Sequence, residues 1–246
     1  MLKSSIKTKP QFSNRHLYQQ IRDHFVELIA SGEWQADRPI DSETDLADSL
    51  GCSVGTVRKA LDTLEAEGLV TRKQGRGTFV ADHSSEALSM RFSNLRIGNG
   101  QRVSGLVATC DVVVDVASED ERRWLALGEQ DRVFRATRIR ELHGRRFMYE
   151  TVVISQRQMP LLVEEDFANP RVAAIGARRH NMLAGKAEER VSIATANGIV
   201  AEALDVKVGD PLLLLDRVIF CINGKQLEWR VALCSLHDKY YMVDII

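Results

Sequence analysis

The chain lacks the residue patterns that mark a secreted, metal-bound or membrane protein. Its four cysteines, Cys52, Cys110, Cys221 and Cys234, lie far apart and form no C-x-x-C pair, and neither they nor the six histidines fall at zinc-ligand spacing. Such isolated thiols suit a reducing cytoplasm rather than a disulfide framework. No apolar run approaches the ~18 residues that a spanning helix needs, and the opening MLKSSIKTKP lacks the apolar core of a signal peptide. A cytosolic protein without a membrane role is expected. Any excess of positive charge is missing too: 33 Lys+Arg stand against 34 Asp+Glu, for a net charge of −1. No global field therefore draws the protein to nucleic acid, and a contact of that kind has to come from a local cluster. Nothing in the sequence offers an activated nucleophile or a metal constellation, which argues against an enzyme, and no cofactor is implied.

What is present is a globular composition, 44% hydrophobic and 27% charged over 246 residues, enough for two modest domains. Residues 1–14 are polar and basic, with Pro10, and read as a flexible arm. Leu17, Ile21, Phe25, Leu28 and Ile29 follow helical spacing up to Gly32. Ser42-x-x-Asp45 resembles a capping box and opens a short helix carrying Leu46, Ala47 and Leu50, ended by Gly51. Ser53 then caps a third helix, in which Val57, Ala60, Leu61 and Leu64 form one apolar stripe while Thr56, Arg58 and Lys59 lie off its centre. Two short helices joined by a tight turn make a helix-turn-helix. Leu69 to Val80 follows as two β-prone runs around a basic, glycine-rich tip with Arg72, Lys73 and Arg76, the pattern of a hairpin wing. Either part alone also fits an ordinary amphipathic helix or a solvated turn; together they point to DNA, with the third helix suited to the major groove.

These residues resemble the winged helix-turn-helix of GntR-type transcriptional regulators. The resemblance rests on Leu17-Tyr18-Gln19-Gln20-Ile21, Asp41-Ser42-Glu43-x-x-Leu46-Ala47, Thr56-Val57-Arg58-x-Ala60-Leu61-x-x-Leu64-x-x-Glu67-Gly68-Leu69 and Gln74-Gly75-Arg76-Gly77-Thr78-Phe79-Val80, and covers residues 15–81. It implies a double-stranded DNA operator with inverted half-sites. The DNA-facing candidates are Ser42, Thr44, Ser53, Val54, Thr56, Arg58 and Lys59 on the helices, with Arg72, Gln74, Gly75, Arg76, Gly77 and Thr78 in the wing. The family usually has Pro-Ser-Glu-Arg where this chain has Asp41-Ser42-Glu43-Thr44, and Ser-Arg-x-Thr-Val-Arg where it has Ser53-Val54-Gly55-Thr56-Val57-Arg58. Two arginines that members use on DNA are thus Thr44 and Val54, whereas Arg58 is kept. Since arginine reads guanine bidentately and valine can only touch a thymine methyl, a shifted operator sequence is expected.

Residues 82–89 are short and polar and read as a linker to a second domain over 90–246. Ser118-x-x-Glu121 is a capping box, with Gly128 expected to end its helix. Val133 to Glu141 and Phe147 to Ile154 read as a hairpin about His143-Gly144. About 79 residues on, a helix at Ala201 to Leu204 precedes a hairpin of Leu212 to Cys221 and Gln226 to Leu236, turned by Asn223-Gly224. With Asp131 aligned on Asp210, Arg138 falls on Arg217, which suggests a duplicated α+β unit around one sheet. The half resembles the UTRA effector-binding domain of the HutC branch, through Arg138-x-Arg140, Glu150, Glu188-Glu189-Arg190, Leu204 to Arg217 and Glu228-x-Arg230. That resemblance implies an α+β chain overall, with a chorismate-lyase-like antiparallel domain that binds a small molecule and forms homodimers.

Arg138 and Arg140 share one strand face, as do Glu228 and Arg230. A three-residue loop between Leu142 and Arg146 would place Arg138 across from Glu150; a two-residue turn would place it on the opposite face. Each pair could be an internal salt bridge, but the set Arg138, Arg140, Glu150, Glu228 and Arg230 favours a polar pocket, since arginine forks suit carboxylate or phosphate. Relatives that bind phosphorylated sugars have Ser-Leu-Tyr where this chain has Arg171-Val172-Ala173, so Arg171 joins the effector candidates and a different small anion is favoured. Arg178-Arg179-His180 reads as a solvated helix face. The leading expectation is a repressor modulated by an anionic metabolite; the alternatives are a protein-interaction winged helix without specific DNA binding, or a lyase on the same fold.

Overall fold

Ile21, Phe25 and Ile29, one helical turn apart, form the buried side of α1 (Leu17–Ala30), and Phe25 also packs on Trp34 with ring centroids 4.7 Å apart. In this computed structural model residues 16–35, 38–81, 90, 92–180 and 182–243 are described. The arm expected over 1–14 and the linker expected over 82–89 lie outside them. The chain divides into two units, Met1–His83 and Ser84–Ile246.

In the first unit, the side chain of Ser42 accepts the Asp45 N–H and opens α2 (Glu43–Leu50), and that of Ser53 accepts the Thr56 N–H and opens α3 (Val54–Ala66). Between them Gly51 sits at φ 65°, a left-handed corner that a side chain would strain, and this makes the turn tight. The stripe Val57, Ala60, Leu61 and Leu64 is buried, closing a core with Leu46, Ala47, Leu69, Phe79 and Val80. β1 (Val70–Lys73) pairs antiparallel with β2 (Gly77–Val80), with Lys73 opposite Gly77 and a three-residue tip.

The second unit runs β3 (Leu95–Ile97), β4 (Leu106–Val116), α4 (Glu119–Leu125), β5 (Arg132–Leu142), β6 (Arg145–Ser155), a 3-10 helix (Glu164–Ala168), α5 (Val172–Arg179), β7 (Ala184–Thr195), α6 (Gly198–Leu204), β8 (Pro211–Cys221), β9 (Gln226–Cys234) and β10 (Lys239–Tyr241). Six strands form one antiparallel sheet in the order β4-β5-β6-β9-β8-β7, and β3 pairs with β10 separately. The duplication is visible in detail. Ala126 and Asp205, 79 residues apart, both end their helices with left-handed φ (51° and 54°). Asp131 then accepts the Gly128 N–H, and Asp210 accepts the Lys207 N–H, in matching turns. The expectation that Gly128 ends α4 is corrected: Ala126 does so, and Gly128 belongs to the turn after it.

One sheet face packs on α4 and α6, through Val133, Val153 and Trp229 and through Tyr149, Leu212 and Leu233. The other face carries two apolar clusters. Phe134, Ala136, Val152, Ile154 and Ile219 pack under the 3-10 helix and α5, while Met148, Leu215, Ala232 and Cys234 pack under Leu95 and Val103. α5 comes in closely at Gly176, where an added Cβ would run into Met159 Sδ and Leu162. Among the described residues no helix is long and apolar enough to cross a membrane.

Candidate functional site

The DNA-facing candidates of the first unit divide into those held by their own helices and those held by neighbours. Ser42 Oγ also donates to Asp45 Oδ2 at 2.6 Å, and Ser53 Oγ lies 2.8 Å from Thr56 Oγ1, so three hydroxyls are tied to helix starts. Thr44 is exposed and Val54 half-buried. Lys59 Nζ stands 4.2 Å from the centroid of the Tyr18 ring, a cation–π contact across from α1. At the wing tip Gln74, Gly75 and Arg76 are exposed, and the Arg76 N–H donates to Lys73 O at 2.8 Å. Thr78 O accepts from Ile40 N, which anchors β2 beside the segment before α2.

The two remaining arginines are held by acids. Arg58 Nε donates to Glu43 Oε2 at 2.8 Å. Arg72 reaches Asp62 Oδ1 at 2.6 Å, Glu65 Oε2 at 2.7 Å and Glu43 Oε1 at 3.4 Å, so this candidate ties the wing strand to α3 and α2. None of these acids stood among the candidates. The only sequence trace is Glu43 in the quoted motif, fifteen positions before Arg58, and it takes the turn between the helices to bring them together.

The second unit brings five of the six effector candidates into one buried band between the two apolar clusters. The β5–β6 hairpin turns on two residues, since Leu142 pairs with Arg145, and that length was expected to put Arg138 and Glu150 on opposite faces. A bulge corrects this. Arg140 pairs with Met148 and Glu141 with Arg146, leaving Phe147 extra; the register moves by one and Arg138 lies directly across from Glu150. Arg138 and Glu150 are fully buried, as is Glu228, with Arg140 4% and Arg230 8% exposed.

Arg138 Nε donates to Glu150 Oε1 at 2.9 Å, and its Nη1 donates at 3.0 Å to the carbonyls of Phe167 and Asn169. Arg230 Nε donates to Glu228 Oε1 at 2.8 Å, and its Nη1 lies 3.2 Å from Glu150 Oε2. Arg140 is less well served: Nη2 donates to Ser104 Oγ at 2.6 Å, Nη1 has Met148 Sδ at 3.8 Å, the nearest Glu150 oxygen is also 3.8 Å away, and buried Nε has no partner among the described residues. Arg171 heads α5 two residues past Asn169, with its own N–H on Asn169 Oδ1, and is half-buried. Sequence reasoning left out of the band Arg217, which donates to Glu189 Oε1 at 2.6 Å, and Tyr241, which donates to Glu189 Oε2 at 2.6 Å and accepts from Asn94. Arg217 and Glu189 were legible in the matched stretches; Tyr241 had no signal.

Burial alone would raise the Glu150 carboxyl, but Arg138, Arg230 and Arg140 around it hold it down to about 2. Burial pushes the Arg140 guanidinium down to about 10; Glu150 opposes this, and the like charges of Arg230 and Arg138 add to it. Arg230 moves the other way, raised despite burial because Glu150 and Glu228 both face it. Three guanidiniums share two carboxylates, and Arg140 is the one left short.

The reading of Arg178-Arg179-His180 as solvated holds for Arg179, which is exposed although paired, and needs correction at His180, which is half-buried with both ring nitrogens engaged. Arg179 pairs with Asp166 and donates to Leu161 O, and His180 accepts the Leu161 N–H at Nε2 with Nδ1 2.7 Å from Gly176 O. They strap α5 to Leu161 and Asp166 of the preceding segment. The side chain of Arg178 lies outside the described residues.

Comparison with known proteins agrees with this division. The model of bacterial regulatory proteins of the gntR family matches residues 17–80, and that of the UTRA domain matches residues 105–240. The HTH-type transcriptional repressor NagR of Bacillus subtilis is 27% identical over 86% of this chain and 87% of its own length. The histidine utilization repressor of Pseudomonas putida is 26% identical over 82% and 81%. Among solved structures, PhnF from Mycobacterium smegmatis superposes with a TM-score of 0.51 at 20% identity, covering 92% of this chain and 99% of that one. A GntR-family regulator from Enterococcus faecalis does so at 0.51 and 21%, covering 56% and 100%. These structural likenesses concern the fold.

Proposed function

Because the chain belongs to the GntR family of bacterial regulatory proteins and its C-terminal unit is a UTRA domain, we propose that it is a repressor whose hold on its operator is set by a small anion. GntR regulators bind DNA and UTRA domains bind small-molecule effectors; the chain is such a regulator and not an enzyme. Repression follows the relatives, which are named repressors. The anion follows from one observation: Arg140 is buried among other guanidiniums and, among the described residues, has no carboxylate oxygen nearer than 3.8 Å and an unpartnered Nε. A carboxylate or phosphate-type oxygen entering beside Arg140 and Ser104 supplies the missing charge and acceptor.

As a cytoplasmic homodimer the protein sets two recognition helices on inverted half-sites, where Arg58, Lys59 and the tip at Gln74 to Arg76 meet the DNA. The effector acts by binding the DNA-competent and DNA-incompetent arrangements with unequal affinity. The test is a mobility shift of fragments from the gene's own upstream region across a salt series, with and without a panel of small carboxylates, phosphates and phosphonates. A specific, salt-sensitive shift that one anion class relieves is expected. If no fragment binds specifically at moderate salt, with or without the panel, the reading fails.

A further inference from the structure

We propose that Glu43, the first residue of α2, is a positioning residue for DNA reading, holding Arg58 by one nitrogen so that the rest of its guanidinium faces the operator. The inference rests on the regulator reading and extends it to a residue of the same charge sign as the DNA. An acid beside phosphates weakens attraction to DNA, so a carboxylate at the head of the helix-turn-helix needs a reason to be there. Its surroundings supply one. The Glu43 side chain is 25% exposed against 61% for Arg58, so the acid sits inside and the arginine outside. The bond to Arg58 uses Nε at 2.8 Å. Both terminal amino groups, the pair that can span a guanine edge or a phosphate, are left for the duplex. The second oxygen, Oε1, lies 3.4 Å from Arg72, which Asp62 and Glu65 of α3 hold from the other side. The carboxylate is therefore fixed at both oxygens, between the helix that carries Arg58 and the strand that carries the wing.

Exposed ion pairs of this kind contribute little to stability. Their effect on binding differs, because a long side chain already ordered in the free protein loses less freedom on contact. With arginine absent at positions 44 and 54, Arg58 is the arginine whose orientation this matters for. Glu43 thus lowers affinity for DNA in general and raises discrimination between sequences.

The experiment uses the full chain and a duplex that the unsubstituted protein selects from a random-sequence pool, with a scrambled duplex as reference. Glu43→Ala is expected to leave scrambled-DNA affinity unchanged or higher while cutting the ratio of selected to scrambled binding by about 2- to 12-fold, the value of ordering one such side chain. Glu43→Gln, whose amide oxygen still accepts from Nε, should keep part of that ratio. In an Arg58→Ala background, Glu43→Ala should leave the ratio unchanged, an outcome that a purely structural role would not produce, while the loss of ratio with Arg58 present is one that a general charge effect, equal on both duplexes, would not produce. Equal changes on both duplexes, or the same loss of ratio with and without Arg58, overturn the proposal. If the unsubstituted protein selects no sequence at all, the regulator reading falls and this inference falls with it; selection that survives Glu43→Ala undiminished defeats the inference alone.

Discussion

Replacing Glu150 by glutamine tests the buried band most directly. The substitution keeps shape and one acceptor oxygen but removes the charge that faces Arg138 at 2.6 Å, Arg230 at 3.2 Å and Arg140 at 3.8 Å. The folded carboxyl titrates at about 2 against an ordinary value of 4.5, both partners are buried, and solvent does not screen the pair. By linkage that depression corresponds to about 3 kcal/mol of stability at neutral pH. Breaking a buried ion pair from one side costs about 3–5 kcal/mol in general, so the two routes agree. For a unit of this size the loss corresponds to a fall in Tm of about 6–12 °C. The sign follows from the direction of the shift. A depressed carboxyl stabilises above its unfolded value, so the contribution is complete above about 4.5 and is lost as pH falls toward 2. Urea unfolding of both proteins at pH 7 and at steps below 4.5 should show a gap that narrows as the acid titrates. A loss under about 1 kcal/mol at pH 7, or a gap independent of pH through that window, would refute the claim that Glu150 stays ionised as the shared partner of these guanidiniums.

Other outcomes are as specific. Arg140→Ala should abolish any rise in Tm produced by small anions, yet cost less stability than Glu150→Gln, since Arg140 is the guanidinium with the poorest partners; an unchanged anion response would move the effector site elsewhere. Gly176→Ala drives a Cβ into Met159 and should destabilise the second unit by about 1–3 kcal/mol, read by urea unfolding, with no loss expected if α5 can lift freely. Val54→Arg adds a bidentate guanine reader at the head of α3 and should tighten binding to guanine-containing half-sites by about 1–3 kcal/mol in competition shifts, leaving scrambled DNA far less affected.

Much of this was legible from local pattern. The serines at 42, 53 and 118 start helices because their hydroxyls reach backbone amides three residues on, whatever the rest of the chain does. Apolar stripes and turn pairs placed these helices and hairpins to within about three residues, and a strict two-residue period put Arg138 with Arg140 and Glu228 with Arg230. The end of α4 was less legible, because glycine is the usual left-handed residue and Ala126 takes that conformation instead.

Which charges met was a tertiary matter. Phe147 carries no mark of a bulge, yet that one extra residue decides whether Arg138 faces Glu150 or the opposite side of the sheet. The carbonyls of Phe167 and Asn169, the Tyr241 hydroxyl and the Glu43 clasp on Arg58 come from segments distant in the chain. Residue identity and spacing set propensity, face and cap, because those act over a few residues. Partners for buried charge depend on register and on what packs over the sheet, and those are settled only when the whole unit closes and water leaves the band.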